Sequence, residues 1–154
     1  MEPVAPSLEL ITRVRATLAE PLDLGQTPWG RRRVIGITGG EFDGPLLSGR
    51  VLAGGADWQI VHPDGSATID TRYTLQSHDG ALIYVATRGC RTGPRDVLAR
   101  IAAGETVDSS DYYFRVSIQY ETSAPQYEWL NWIVAVASAV RLANEVMYDS
   151  YILR

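Results

Sequence analysis

The chain has no lysine; all fourteen of its basic residues are arginines. This excludes Schiff-base formation and a lysine general base, both of which need an ε-amine. A single cysteine, Cys90, excludes an intramolecular disulfide framework and a cysteine-rich zinc site. With no CxxC partner and no adjacent base, Cys90 reads as a packed thiol. Only two histidines occur, His62 and His78, each just before an Asp-Gly turn and without HxH or HExxH spacing, so no metal site is expected. No Gly-x-Ser-x-Gly elbow is present, and Gly36, Gly39, Gly40 and Gly44 lack the spacing of a dinucleotide fingerprint. No cofactor is therefore expected. The sequence also lacks an apolar run of about eighteen residues, so no membrane span is expected. MEPVAPSLEL has no basic region followed by an apolar stretch, which makes a cytoplasmic location the expectation. A net charge of −4 and a pI near 5.1 give no electrostatic case for nucleic acid.

What is present fits one soluble domain of 154 residues, 45% hydrophobic and 21% charged. The stretch from Gly54 to Gly89 reads as a three-strand meander over 56–62, 67–76 and 81–88. Its turns, His62-Pro63-Asp64-Gly65 and His78-Asp79-Gly80, carry the Asp-Gly signal that supplies positive φ. Residues 7–19 alternate and stop at Pro21, which favours a strand. Residues 20–30, with Pro21, Gly25, Pro28 and Gly30, read as a loop, and 31–38 as a strand. Glycines 40, 44 and 49 with Pro45 make 41–51 a bent, glycine-kinked strand of the kind that curls a sheet. Residues 94–103 form the one clear helix, opened by Pro94 and ended by Gly104. YYFRVSIQYE (112–121) is an alternating strand. YEWLNWIVAVASAV (127–140) fits helix or buried strand; an antiparallel pair over 127–137 and 145–153 is the preferred reading. Many antiparallel strands with one short helix predict an all-β antiparallel β-barrel.

Alternation divides the side chains into faces without saying which face points inward. Asp70, Arg72, Thr74 and Gln76 share one face; Ile69, Thr71, Tyr73 and Leu75 share the other. Tyr113, Arg115, Ser117, Gln119 and Glu121 oppose Phe114, Val116, Ile118 and Tyr120. The polar faces are either a solvated outer wall or the lining of a lumen that holds a small ligand. Under the second reading, Asp57 and Glu121 are general-base candidates, activated if a tryptophan such as Trp58, Trp129 or Trp132 buries them. Arg72 and Arg115 suit carboxylate or phenolate binding. Tyr73, Tyr113 and Tyr127 could donate to a developing oxyanion. Arg88 and Asn131 complete the expected pocket, in which the meander faces the 112–121 strand and the 127–131 segment.

GGEFDGPLLSGRVLAGGADWQ (39–59), DTRYTLQSHDGALIYVATRG (70–89), YYFRVSIQYET (112–122) and YEWLNWIVAV (127–136) together resemble a bacterial and fungal family. It is called domain of unknown function 3237, or uncharacterised protein family 0311. The resemblance spans about residues 7–153 and implies a lipocalin-like barrel with a short helix and no settled activity. Its characteristic positions here include Gly40, Gly49, Asp57, Trp58, Arg72, Tyr73, Asp79, Arg115, Glu121, Tyr127, Trp129 and Asn131. Trp132 and Val116-Ser117-Ile118 depart from the family pattern and reshape any pocket. Three functions stay open. One is a cofactor-independent isomerase, cyclase or lyase for a small carbonyl or aromatic metabolite, with Asp57 or Glu121 moving the proton. The others are a non-catalytic small-molecule carrier and a homo-oligomeric scaffold.

Overall fold

The computed structural model describes residues 1–154. Its strands are β1 (Leu8–Leu18), β2 (Leu22–Thr27), β3 (Gly30–Asp43), β4 (Gly49–Val51), β5 (Gly55–Val61), β6 (Ala67–Ser77), β7 (Leu82–Thr92), β8 (Tyr113–Glu121), β9 (Ala135–Arg141) and β10 (Glu145–Leu153). A single α-helix, α1 (Arg95–Ala102), lies between β7 and β8.

The long strand β3 organises closure. Its first half pairs with β2 on one flank and β5 on the other. Its second half pairs with β1 and β4. β1–β2 and β4–β5 are thus two interrupted strands on either side of one continuous strand. The remaining neighbours run β1-β10-β9-β8-β7-β6, and β6 pairs with both β4 and β5. The circuit is a closed, eight-stranded antiparallel barrel, which leaves few free edges. Gly40 shows why glycine sits at the bend in β3: its φ is +132°, and a Cβ there would lie 2.0 Å from the carbonyl oxygen of Arg15 across the pair.

The strand expectations hold in outline and differ in three places. Residues 41–51 are not one bent strand: β3 runs through Gly39 and Gly40 to Asp43, residues 44–48 leave the sheet, and β4 is only Gly49–Val51. Residues 20–30 contain β2, because a bulge at Asp23/Gly25 lets the chain pair despite its turn-forming residues. Residues 127–137 are not one strand. Pro125–Trp132 forms a 3-10 segment, and β9 begins only at Ala135. Two local causes explain it. Tyr127 and Leu130, three residues apart, are the buried pair, which is a one-turn spacing. The Asn131 side chain also accepts from the Thr122 N–H (2.8 Å) and donates to the Thr122 carbonyl (2.9 Å), tying the segment back to the end of β8.

The barrel is packed at one end and hollow at the other. Strand register gathers Ile11, Phe42, Leu75, Ile83 and Ile152 near the 3-10 segment, whose Leu130 joins them; all are at most 2% exposed. Each such side chain contributes roughly 1.5–3 kcal/mol of burial. The opposite end collects the ends of β5, β7 and β9 and the starts of β6, β8 and β10. There α1 packs Val97, Leu98 and Ile101 inward over the 62–66 turn. No helix is long and apolar enough to cross a membrane.

Candidate functional site

The hollow end holds a cavity with about 620 Å³ of empty space, counting open solvent at its mouth. Its walls are largely apolar, from Ile35, Ile37, Ile69, Phe114 and Val116. Small side chains make the room: Ala16 on β1 and Ala139 on β9 line it where larger residues would fill it.

The polar groups enter as a ladder set by register. Arg91 lies opposite Ala67, nearest the mouth; Thr71 pairs with both Asp57 and Thr87, one step down; Tyr73, opposite Val85, is deeper. Gln59 lies between the first two levels. On the far wall Arg141, opposite Val146, is near the mouth, and Tyr148, opposite Ala139, is below it. The hydroxyls of Tyr73 and Tyr148 are hydrogen-bonded to each other at the floor. Burial pushes both phenols well above their usual pKa, so both are neutral.

Asp57 accepts hydrogen bonds from the Asp70 N–H (3.1 Å) and from Gln59 Nε2 (3.2 Å). Its carboxyl pKa is raised. Burial is the main cause, and these two hydrogen bonds and the attraction of Arg91 only partly offset it. Arg91 is 8% exposed, and no carboxylate lies within ion-pair distance of it. Its Nε is buried without a hydrogen-bond partner, as is Oε1 of Gln59. The Arg91 guanidinium stacks over Phe114 at 5.6 Å. Burial and then repulsion from Arg141 lower its pKa to about 10, while Asp57 pulls the other way. Burial lowers Arg141 too, with Arg33 as a further positive neighbour. A carboxyl prone to hold its proton thus faces Arg91, whose Nε has no acceptor, and Arg141, whose Nη1 donates to the carbonyls of Leu142 and Glu145 (3.1 Å to the latter).

Of the expected site residues, Asp57 and Tyr73 line this cavity. The others lie elsewhere. Arg72 and Arg88 flank Asp70 on the outer wall, at 3.2 and 3.7 Å, and Arg72 stacks on Trp58 at 5.5 Å. Arg115 stacks on Tyr113 at 5.2 Å, also outside. Glu121 is exposed on the outer parity of β8. Tyr127 donates to Asp79 at 3.0 Å beneath the closed end, Trp129 packs against the core, and Asn131 holds the loop already described. The polar faces of β6 and β8 are therefore outer walls. Arg91, Arg141, Gln59 and Tyr148 are cavity residues that the sequence reading did not single out. A signal for two of them was present: Arg91 continues the inward parity of Ile83, Val85 and Thr87, and Arg141 that of Ala135, Ala137 and Ala139. An arginine that extends an apolar parity at a strand end is out of place on a plain core face.

Comparison with known proteins follows the same outline. The family model described as "Protein of unknown function (DUF3237)" matches residues 6–153. A UPF0311 protein of Clostridium acetobutylicum is 38% identical over 144 residues, covering 93% of this chain and 91% of that protein. The crystal structure of a β-barrel-like protein from Acinetobacter baumannii is 48% identical, with a TM-score of 0.88 over 99% of both chains. A more distant relative, the hydroalkoxylation enzyme phnH of Penicillium herquei, is 26% identical over 149 residues, covering 97% of this chain and 84% of that protein.

Proposed function

The chain belongs to the DUF3237 family, and from that premise we propose that its barrel is a cofactor-independent acid–base enzyme for a small carbonyl or aromatic metabolite, of the isomerase, cyclase or lyase type. The observation that carries the reading is Asp57: a carboxyl with a raised pKa, inside a cavity whose rim holds the uncompensated Arg91. A general base works best when its pKa is drawn toward the operating pH, and burial does this for a carboxylate.

The Penicillium relative is named a hydroalkoxylation enzyme, and the arrangement here suits one such addition, that of a hydroxyl across a double bond conjugated to a carbonyl. The Asp57 carboxylate takes the proton of the attacking hydroxyl. The oxygen bonds to the β-carbon, and the π electrons move onto the carbonyl oxygen as an enolate. Arg91 and Arg141 stabilise that developing charge in a cavity that excludes most water. Asp57, now protonated, returns the proton to the α-carbon. Atoms and charge balance with no further reactant. Isomerisation needs only the proton removal and return. Glu121, exposed on the outer wall, has no part in this scheme.

The test is turnover of hydroxyaryl enones, such as 2′-hydroxychalcone closing to its cyclic ether, followed by loss of enone absorbance. Asp57→Asn is expected to lower the enzymatic rate by about 100-fold or more, whereas Glu121→Gln leaves it unchanged. Equal rates for wild type and Asp57→Asn would remove Asp57 as the proton carrier. Retained binding without turnover in both would favour the carrier reading, which uses the same cavity.

A further inference from the structure

We propose that the native occupant of the cavity is a small, planar organic anion, a carboxylate or phenolate, whose charged oxygen sits on Arg91 and Arg141 at the rim while its body points down toward Tyr73 and Tyr148. This rests on the reading of the cavity as the functional site and names the chemistry of what enters it.

Charge count is the first ground. Arg91 and Arg141 line the cavity, Arg33 acts on both, and Asp57 is the one carboxylate among them. The local excess is positive, although the whole chain carries −4. Such a contrast focuses the field at the mouth and draws anions inward.

Unmet hydrogen bonding is the second. A buried polar group without a partner is rare in folded proteins and marks a place where a partner is missing. Two such atoms belong to residues lining this cavity. Arg91 is 8% exposed and its Nε has no acceptor; Gln59 is 2% exposed and its Oε1 has no donor. Gln59 Nε2 is already committed to Asp57, so the free Oε1 asks for a donor. An oxyanion satisfies Arg91, whose planar fork matches a carboxylate. A neutral hydroxyl on the same ligand, or a water beside it, satisfies Gln59.

Orientation is the third. The register places both arginines above Asp57, and the two tyrosines below it. The apolar walls between these levels accept an apolar ring edge-on. The anion therefore enters body first and stops with its charge at the guanidinium level.

The experiment is isothermal titration at neutral pH with benzoate, 4-hydroxybenzoate and 4-nitrophenolate, each against a neutral counterpart, benzamide, 4-hydroxybenzamide and 4-nitroanisole. At least one anion is expected to bind tenfold or more tightly than its counterpart, with affinity falling as sodium chloride is added. Arg91→Met is expected to weaken that anion tenfold or more, and Arg141→Met to weaken it in the same direction. Asp57→Asn is expected to strengthen it severalfold, because the one opposing charge is gone. The proposal is overturned if no anion binds, if the neutral partners bind equally well, or if Asp57→Asn weakens the anion. Circular dichroism of each variant guards against misfolding, and Arg141→Met carries the test should Arg91→Met not fold. Failure of the acid–base reading looks different: Asp57→Asn would keep wild-type turnover, whatever its affinity for anions.

Discussion

Replacing Arg91 by methionine should make the ligand-free protein more stable. Arg91 is 8% exposed, has no ion-pair partner and leaves Nε without an acceptor. Burial lowers its pKa to about 10, well below the usual guanidinium value. At 1.36 kcal/mol per pH unit, holding the charge there costs roughly 3 kcal/mol. Methionine has a similar length, no charge and a thioether suited to the Phe114 ring. Buried charges replaced by apolar residues of similar volume commonly gain about 1–4 kcal/mol. Part of the gain is lost, because Asp57 then loses its attraction to Arg91 and takes up a proton more readily. A net increase of about 1–2 kcal/mol is expected, which for a domain of this size raises Tm by roughly 2–8 °C. Urea unfolding at pH 7 measures it through the midpoint, provided the slope is unchanged. The sign with pH also follows. A base whose folded pKa is lowered destabilises the fold wherever it is charged in that state, so the difference stays flat from pH 6 to 9 and shrinks as pH rises through about 10. Destabilisation of Arg91→Met by more than about 1 kcal/mol would refute the reasoning, because it would mean that Arg91 holds the empty barrel together.

Two further outcomes test the barrel's ends. Tyr73→Phe removes one partner of the buried phenol pair and strands the Tyr148 hydroxyl, a loss of about 1–3 kcal/mol, whereas Tyr73→Phe with Tyr148→Phe strands nothing and should recover most of it; denaturant midpoints of the three variants decide. At the closed end, Asp79 accepts from Ser77, from Gln126 (3.1 Å) and from Tyr127 (3.0 Å), which hold its carboxyl well below the usual carboxylate range. Asp79→Ala should loosen the 125–132 segment, seen as faster amide exchange there with β7 and β8 unaffected. Because the pKa is depressed, the wild-type advantage is present above the ordinary carboxylate value and disappears as pH falls toward the depressed one. An advantage that persists unchanged into strong acid would count against this network.

The barrel was legible in the sequence because hairpin turns and period-2 alternation are local. β6, β7 and β8 pair in sequence order, and the alternation of Tyr113 to Glu121 is complete in its burial. Which side of the alternation faces inward was not local. Arg72 and Asp70 satisfy one another on the outer wall, and only closure of the circuit puts that wall outside. Arg91 and Arg141 were hidden for another reason. Arg141 is the last residue of β9 and Arg91 the last but one of β7, where an arginine usually means solvent. Asp57 stood out because a glycine bend and a tryptophan framed it. Residues 127–140 fit helix or strand by sequence, and closure of the barrel favours the strand; the three-residue spacing of Tyr127 and Leu130 is the signal for the helical turn that forms.

The seam of the barrel joins the two ends of the chain. β1 pairs with β10 along its length, and Ser7 and Arg154 exchange both backbone hydrogen bonds, 3.0 and 2.9 Å. During synthesis the ring therefore stays open until β10 has left the ribosome. Until then β1 has β3 on one flank and bare backbone on the other, a ready template for a second nascent chain. The same neighbourhood makes the molecule a natural subject for circular permutation: a short linker from Arg154 to the N-terminal arm, with new ends opened in the exposed loop at 104–106, would let the seam form early, while the chain is still being made.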